Sequence, residues 1–208
     1  MIFAYNKEQV GDTLLVILQD TADVKRNVER RGKVARVYAE ATNETLAWNI
    51  FEVSSLITVE GNGQVILSDE DVATLNQELS KEGFKEELVN DEGPFFVVGQ
   101  IVEMEAHPDS DHLNICQVKI AEDKTIQIVA GAPNAAVGLK TIVALPGAMM
   151  PSGSLIFAGQ LRGEDSFGMM CSPRELALPN APQVRGIIEL DDSAVIGEPF
   201  DVAKHWRA

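Results

Sequence analysis

The stretch FFVVGQIVEMEAHPDSDHLNICQVKIAEDKTIQIVA, residues 95–130, decides the fold. Three apolar runs rich in Val and Ile (95–106, 113–121 and 125–130) are cut apart by HPDSD and EDK. Short β-branched runs between turn clusters read as strands rather than helices. A fourth run, KTIVALPG (140–147), follows the turn segment GAPNAAVG (131–138), and SLIFAGQL (154–161) and GIIEL (186–190) add further strand signals. Five or more short strands within about a hundred residues fit a small closed barrel. One short helix is expected over residues 134–137, with Asn134 as its cap.

Toward the C-terminus lies QLRGEDSFGMMCS, residues 160–172. No run of alternating apolar residues continues through it, so it is not a plain core strand. Arg162 and Gly163 sit at a turn, and Gly163 and Gly168, five apart, imply backbone that bends sharply or approaches something closely. A cation, a hydroxyl (Ser166) and flexible thioethers suit a surface that receives a planar, charged ligand. The competing reading is a hairpin turn backed by a Met-rich core strand.

Toward the N-terminus the texture differs. Residues 1–90 read as a small α+β unit, and 91–208 as a second, all-β one. MIFAYN and DTLLVIL are strands, and KVARVYAEA and TLAWNIFEV form a hairpin across the turn TNET, with Leu46, Trp48 and Ile50 alternating on one face. Ser68 followed by Asp69, Glu70 and Asp71 starts a helix, a hydroxyl cap with acids in the first turn. Val72, Leu75 and Leu79 give that helix one apolar face, and Gly83 ends it. The polar segment KEELVNDEGP then leads to the boundary near Pro94.

Net charge is −15 over 208 residues, which argues against indiscriminate binding to nucleic acid or to anionic membrane. No run is long enough to span a bilayer, and MIFAYNKEQ lacks the basic head and apolar core of a signal peptide. Cys116 and Cys171 lie far apart. A cytoplasmic protein with reduced thiols, and no membrane association, is expected.

Four motifs invite chemistry. HPDSDH (107–112) offers imidazole and carboxylate, but the remaining histidine is His205 near the tail, so no metal is expected. VAGAPN (129–134) lacks the spacing of a phosphate-binding loop. Cys171 beside Ser172 lacks an evident base, so no catalytic residue and no cofactor are assigned. The segment VKRNVERRGKVAR (24–36) concentrates Lys25, Arg26, Arg30, Arg31, Lys33 and Arg36 against Glu29. It reads either as a solvated hairpin face or as a phosphate contact.

Together, HPDSDHL, VAGAPN, LPGAMMPSG, LRGEDSFGMMCS, REL and GIIEL occur in the order of one known family. They resemble the tRNA-binding OB-fold domain at the N-terminus of the bacterial phenylalanyl-tRNA synthetase β subunit. The full arrangement is similar to the YtpR family of stand-alone bacterial tRNA-binding proteins. The resemblance implies a five-stranded Greek-key barrel and non-catalytic binding of structured RNA, tRNA first. It carries Arg162, Ser166, Met169 and Asn134 over as RNA contacts, with Gly163 and Gly168 permitting close approach. Lys25, Arg26, Arg30 and Arg31 are expected as auxiliary contacts. It also implies a partner such as an aminoacyl-tRNA synthetase or another translation protein, and a homodimer. Docking onto such a protein is the alternative function, since an acidic surface suits a basic partner.

The chain departs from that family at His112, where Lys or Arg is usual, and Glu164 and Asp165 stand beside the proposed contact. Residues 91–208 hold eight Lys and Arg against sixteen Asp and Glu. Weak binding through roughly 3–5 phosphates, with a shallow salt dependence, is therefore expected.

Overall fold

The computed structural model describes residues 1–21, 23–91 and 93–207, so Glu92 of the connecting segment lies outside the described residues. The chain divides into two compact units, Met1–Glu92 and Gly93–Ala208.

The first unit is strand-rich. Its strands are β1 (Ile2–Tyr5), β2 (Thr13–Ile17), β3 (Arg26–Arg31), β4 (Val34–Ala39), β5 (Thr45–Phe51) and β6 (Gly63–Gln64). They form one antiparallel sheet in the order β3-β4-β5-β2-β1-β6. Among the described residues two α-helices accompany it, the single turn α1 (Lys7–Val10) and α2 (Asp69–Lys81), with a 3-10 turn at Val53–Ser55. The expected α+β character thus reduces to a sheet with one substantial helix. That helix starts where the Ser68 side chain accepts from the Asp71 N–H and the Asp71 carboxylate accepts from the Ser68 N–H. Val72, Leu75 and Leu79 are buried against Phe3, Leu14, Val16, Trp48 and Ile50 of the sheet. Each such side chain contributes about 1.5–3 kcal/mol on burial.

The second unit contains β7 (Phe96–Ala106), β8 (Asn114–Ala121), β9 (Lys124–Ala130), β10 (Lys140–Ala144), β11 (Gly159–Leu161), β12 (Glu164–Ser166), β13 (Met169–Met170) and α3 (Val202–His205). Five strands form an antiparallel sheet in the order β13-β10-β7-β8-β9, and β11 and β12 pair as a separate hairpin. The sheet is curled. Register shifts at Ile101/Glu103 on β7 and Lys119/Ala121 on β8 add local twist. Gly99 permits a close approach, because a Cβ there would stand 2.6 Å from Val143 and 2.9 Å from Val118. Residues 167–170 link the two ends of the sheet. The Phe167 N–H donates to Gln127 O on β9 at 2.8 Å, and Met169 and Met170 then pair with Ala144 and Val143 on β10.

The two faces of this sheet bury separate cores. One holds Ile101, Cys116, Val118, Ile128, Val143 and Met170. The other holds Val98, Ile142, Met150, Cys171, Leu176 and Ile188, covered by the long connections after β10 and β13. The tail runs beside the start of β7, with Val98 N–H donating to Glu198 O and Phe200 N–H to Phe96 O.

Three sequence expectations change here. Residues 134–137 form turns, not a helix. SLIFAGQL contributes a strand only at 159–161, and GIIEL only a bridge between Leu190 and Lys140. Both runs supply core side chains from irregular backbone, so their apolar content mimics a strand signal.

Candidate nucleic-acid interface

The turn at Arg162–Gly163 closes the β11–β12 hairpin with both residues at positive φ, +50° and +88°. Two-residue hairpin loops favour that geometry because it matches the strand twist, and they usually place Asn or Gly there. An arginine in the left-handed region is uncommon and marks the tip for attention. The Arg162 side chain is exposed, and its Nη1 donates to Asp109 O at 2.9 Å, so the tip rests on the 107–112 loop.

That loop is built around His107, which is buried. His107 Nδ1 accepts from the Asp109 N–H at 3.0 Å, and Nε2 lies 3.3 Å from Leu161 O. Both ring nitrogens are thus occupied in folding the loop, which removes the best ligand atom from the apparent metal motif. Exposed His112 pairs through Nδ1 with Asp111 Oδ1 at 2.8 Å. The hydrogen bond from His112, helped by the backbone and by the charges of His112 and Arg162, holds the Asp111 carboxyl below its ordinary range.

Ser166 sits at the free edge of β9. Its hydroxyl accepts from the Val129 N–H at 3.2 Å, which substitutes for a missing ladder bond. Gly168 has φ +147°, and a Cβ there would meet Ala144 O at 2.7 Å, so this glycine packs against the sheet. Asn134 works as a clamp: Oδ1 accepts from the Ile187 N–H and Nδ2 donates to Ile187 O, both at 2.9 Å, while Nδ2 also reaches Glu189 Oε1 at 2.8 Å. Asn134, Ser166 and Gly168 therefore each have an internal structural task.

Met169 opens onto a cleft of about 380 Å³ between the sheet and the returning chain. Its lining includes His112, Ile128, Arg174, Val184 and Arg185. Arg174 is exposed and has no side-chain partner among the described residues, and Arg185 Nη2 makes one long contact, 3.3 Å, to Gly131 O. Sequence reasoning missed both arginines. The available signal was their position: two of the few cations in an acidic half, Arg174 opening the motif REL and Arg185 directly before GIIEL. It also missed Phe167, 39% exposed and the one aromatic among the large apolar residues exposed in the described chain.

The basic segment splits in two. Arg31 pairs with Glu29, donates to Gly83 O at 2.7 Å and covers the Phe84 ring; Lys33 and Arg36 pair with Glu52 and Glu86. Lys25 and Arg26 are exposed without an ion pair among the described residues, and Arg30 stacks on Phe51 at 4.0 Å. All three lie on or beside β3, the sheet edge, where charge also opposes edge-to-edge pairing.

Cys116 and Cys171 are buried, and burial pushes their thiols up to about 11 and about 12. A thiol so protonated is a poor nucleophile.

A curled five-stranded sheet with a cationic hairpin tip and an arginine-rimmed cleft defines a binding module. Consistent with this, residues 96–199 match the family described as "Putative tRNA binding domain", and residues 21–91 match "Domain of unknown function (DUF4479)". The chain is 45% identical over 196 residues to "Putative tRNA-binding protein YtpR" of Bacillus subtilis, covering 94% of this chain and 97% of that one. It belongs to the YtpR family. It is also 50% identical over 102 residues to the phenylalanine–tRNA ligase β subunit of Aromatoleum aromaticum, and 42% over 133 residues to that of Rhodospirillum rubrum. Those matches cover 49% and 62% of this chain but only 12% and 16% of the subunits. No helix of the described residues is long and apolar enough to cross a membrane.

Proposed function

We propose that this chain binds structured RNA, tRNA above all, without catalysing a reaction on it. In this reading residues 91–208 are the binding domain, an OB-fold completed as a five-stranded Greek-key barrel, and residues 1–90 add auxiliary contacts. The observation that carries it is the pairing of an exposed guanidinium at a strained hairpin tip with the adjacent cleft and its two further arginines. Arg162 offers charge-assisted bonds to phosphate. Single-stranded loops and ends give the natural targets, since their bases can be splayed out. Kinship with the YtpR protein and the synthetase β subunits supports the same ligand class, and with it a role in translation in the cytoplasm.

The test is titration of deacylated tRNA at low salt. Binding weakened by about 1–3 kcal/mol in Arg162→Ala is the expected result, the scale of one charge-assisted hydrogen bond. Absence of binding at high micromolar protein would sink the reading. The net charge of −15 favours a second reading, docking onto a basic protein such as a synthetase. A partner retained after nuclease treatment would favour it.

A further inference from the structure

The cleft beside Met169 adds two properties that a phosphate-binding surface alone does not need, a concavity and open apolar side chains, to a cationic rim that it does need. It is a half-open concavity of about 380 Å³, within the ~300–1,000 Å³ of small-ligand sites. Its lining mixes polar with apolar groups: Met169 and Val184, the latter 67% exposed, are among its open apolar side chains, whereas Ile128 is buried. Its rim carries Arg174, which lacks any side-chain partner among the described residues, and Arg185, held by a single long contact. Glu175 also lines it, but its Oε2 accepts both the Ser172 N–H at 2.8 Å and the Ser172 hydroxyl at 2.6 Å. That carboxylate is turned to holding the chain reversal that presents Arg174.

Open apolar side chains beside cations complement a flat heteroaromatic ring attached to a phosphate. A thioether packs well on a ring face, and a guanidinium serves either the flanking phosphate or the ring plane. We propose that this cleft seats one unstacked nucleobase of the bound RNA, ring against Met169 and Val184, with Arg174 and Arg185 on the flanking phosphates. This rests on the RNA reading above and narrows it: the RNA recognised must present an unpaired base, at a bulge, loop or end.

The experiment uses the full chain with methyl-labelled methionine, the Met169 resonance being assigned through Met169→Leu. Four ligands are compared: deacylated tRNA, a blunt RNA duplex, the same duplex with a single-nucleotide bulge, and a free mononucleotide. The expected result is a Met169 methyl shift with tRNA and the bulged duplex but not the blunt one, and bulged RNA bound roughly tenfold tighter, the scale of burying about one ring face against apolar side chains. Val184→Glu, at an exposed site, should abolish that preference, and Arg174→Ala with Arg185→Ala should weaken every RNA. Equal binding of both duplexes, or tRNA binding with a silent Met169, overturns the base seat and leaves RNA binding standing. Failure of every RNA, tRNA included, overturns the RNA reading itself. A mononucleotide that shifts Met169 at the same concentration as bulged RNA makes the cleft a free-nucleotide site and overturns the proposal.

Discussion

Asn134→Ala separates a structural residue from a ligand contact. The side chain closes two 2.9 Å hydrogen bonds on the backbone N–H and C=O of Ile187, a residue 6% exposed. Truncation leaves both groups without those partners in a part-buried site, at about 1–3 kcal/mol each before water intervenes. Allowing for partial rescue by water, a net loss of about 3 kcal/mol is expected. For a domain of about a hundred residues that lowers the melting midpoint by roughly 12 °C. Asn134→Asp should do no better, because its second oxygen would face Ile187 O and Glu189 Oε1. The clamp also steadies the chain that carries Arg185, so tRNA affinity should fall in Asn134→Ala, and by less than additively when combined with Arg185→Ala. Calorimetry or thermal denaturation, with a tRNA titration at a temperature where the variant is folded, reads both effects. An unchanged midpoint with weakened binding would refute the clamp and return Asn134 to the RNA surface.

Gly168→Ala should cost several-fold more stability than Gly163→Ala. Both positions have positive φ, worth about 1–3 kcal/mol of strain, but only the former also drives a Cβ to 2.7 Å from Ala144 O; denaturant midpoints compare them. Hydrogen bonds from Lys204 and His205 lower Glu198 from 4.5 to about 2, so its stabilising effect is full above pH 4.5 and fades as pH falls toward 2. The stability gap between the parent and Glu198→Gln should close over that window in acid titration followed by circular dichroism. Neutralising Lys25 and Arg26 should leave the melting midpoint unchanged and, if β3 touches phosphate, reduce the salt slope of tRNA binding by roughly 0.7–0.9 for each phosphate no longer neutralised. Arg31→Ala should instead lower the midpoint, since its guanidinium holds Gly83 O and covers Phe84.

Much of the architecture was legible because its signals are local. Ser68 and the acids after it announced α2; Leu46, Trp48 and Ile50 alternated on β5 and are buried as read. The strands of 96–130 were visible as β-branched runs between turns. The helix at 134–137 failed because the same Asn that caps helices also clamps distant backbone, here 53 residues away. The proposed site was legible only in part. Arg162 and Met169 could be singled out from the turn and the methionines. The motifs REL and GIIEL pointed to the neighbourhood of Arg174 and Arg185 but not to their meeting, because the cleft is made where Ile128, Met169 and Val184 meet across three separate segments.

By itself the sequence determined the strands over 96–130, the hairpin strand of Leu46, Trp48 and Ile50, the helix that starts at Ser68, and the family. These follow from residue-by-residue propensity, hydrophobic period and turn chemistry, all of short range. Only the tertiary structure decided which polar groups are spent inside the molecule and which remain for a ligand. It turned Asn134 and Ser166 inward, paired Arg31 and Arg36, and left Arg174 at a cleft with no side-chain partner among the described residues. The reason is physical: whether a donor is available depends on what the fold places within about 3 Å of it, and spacing along the chain does not encode that distance.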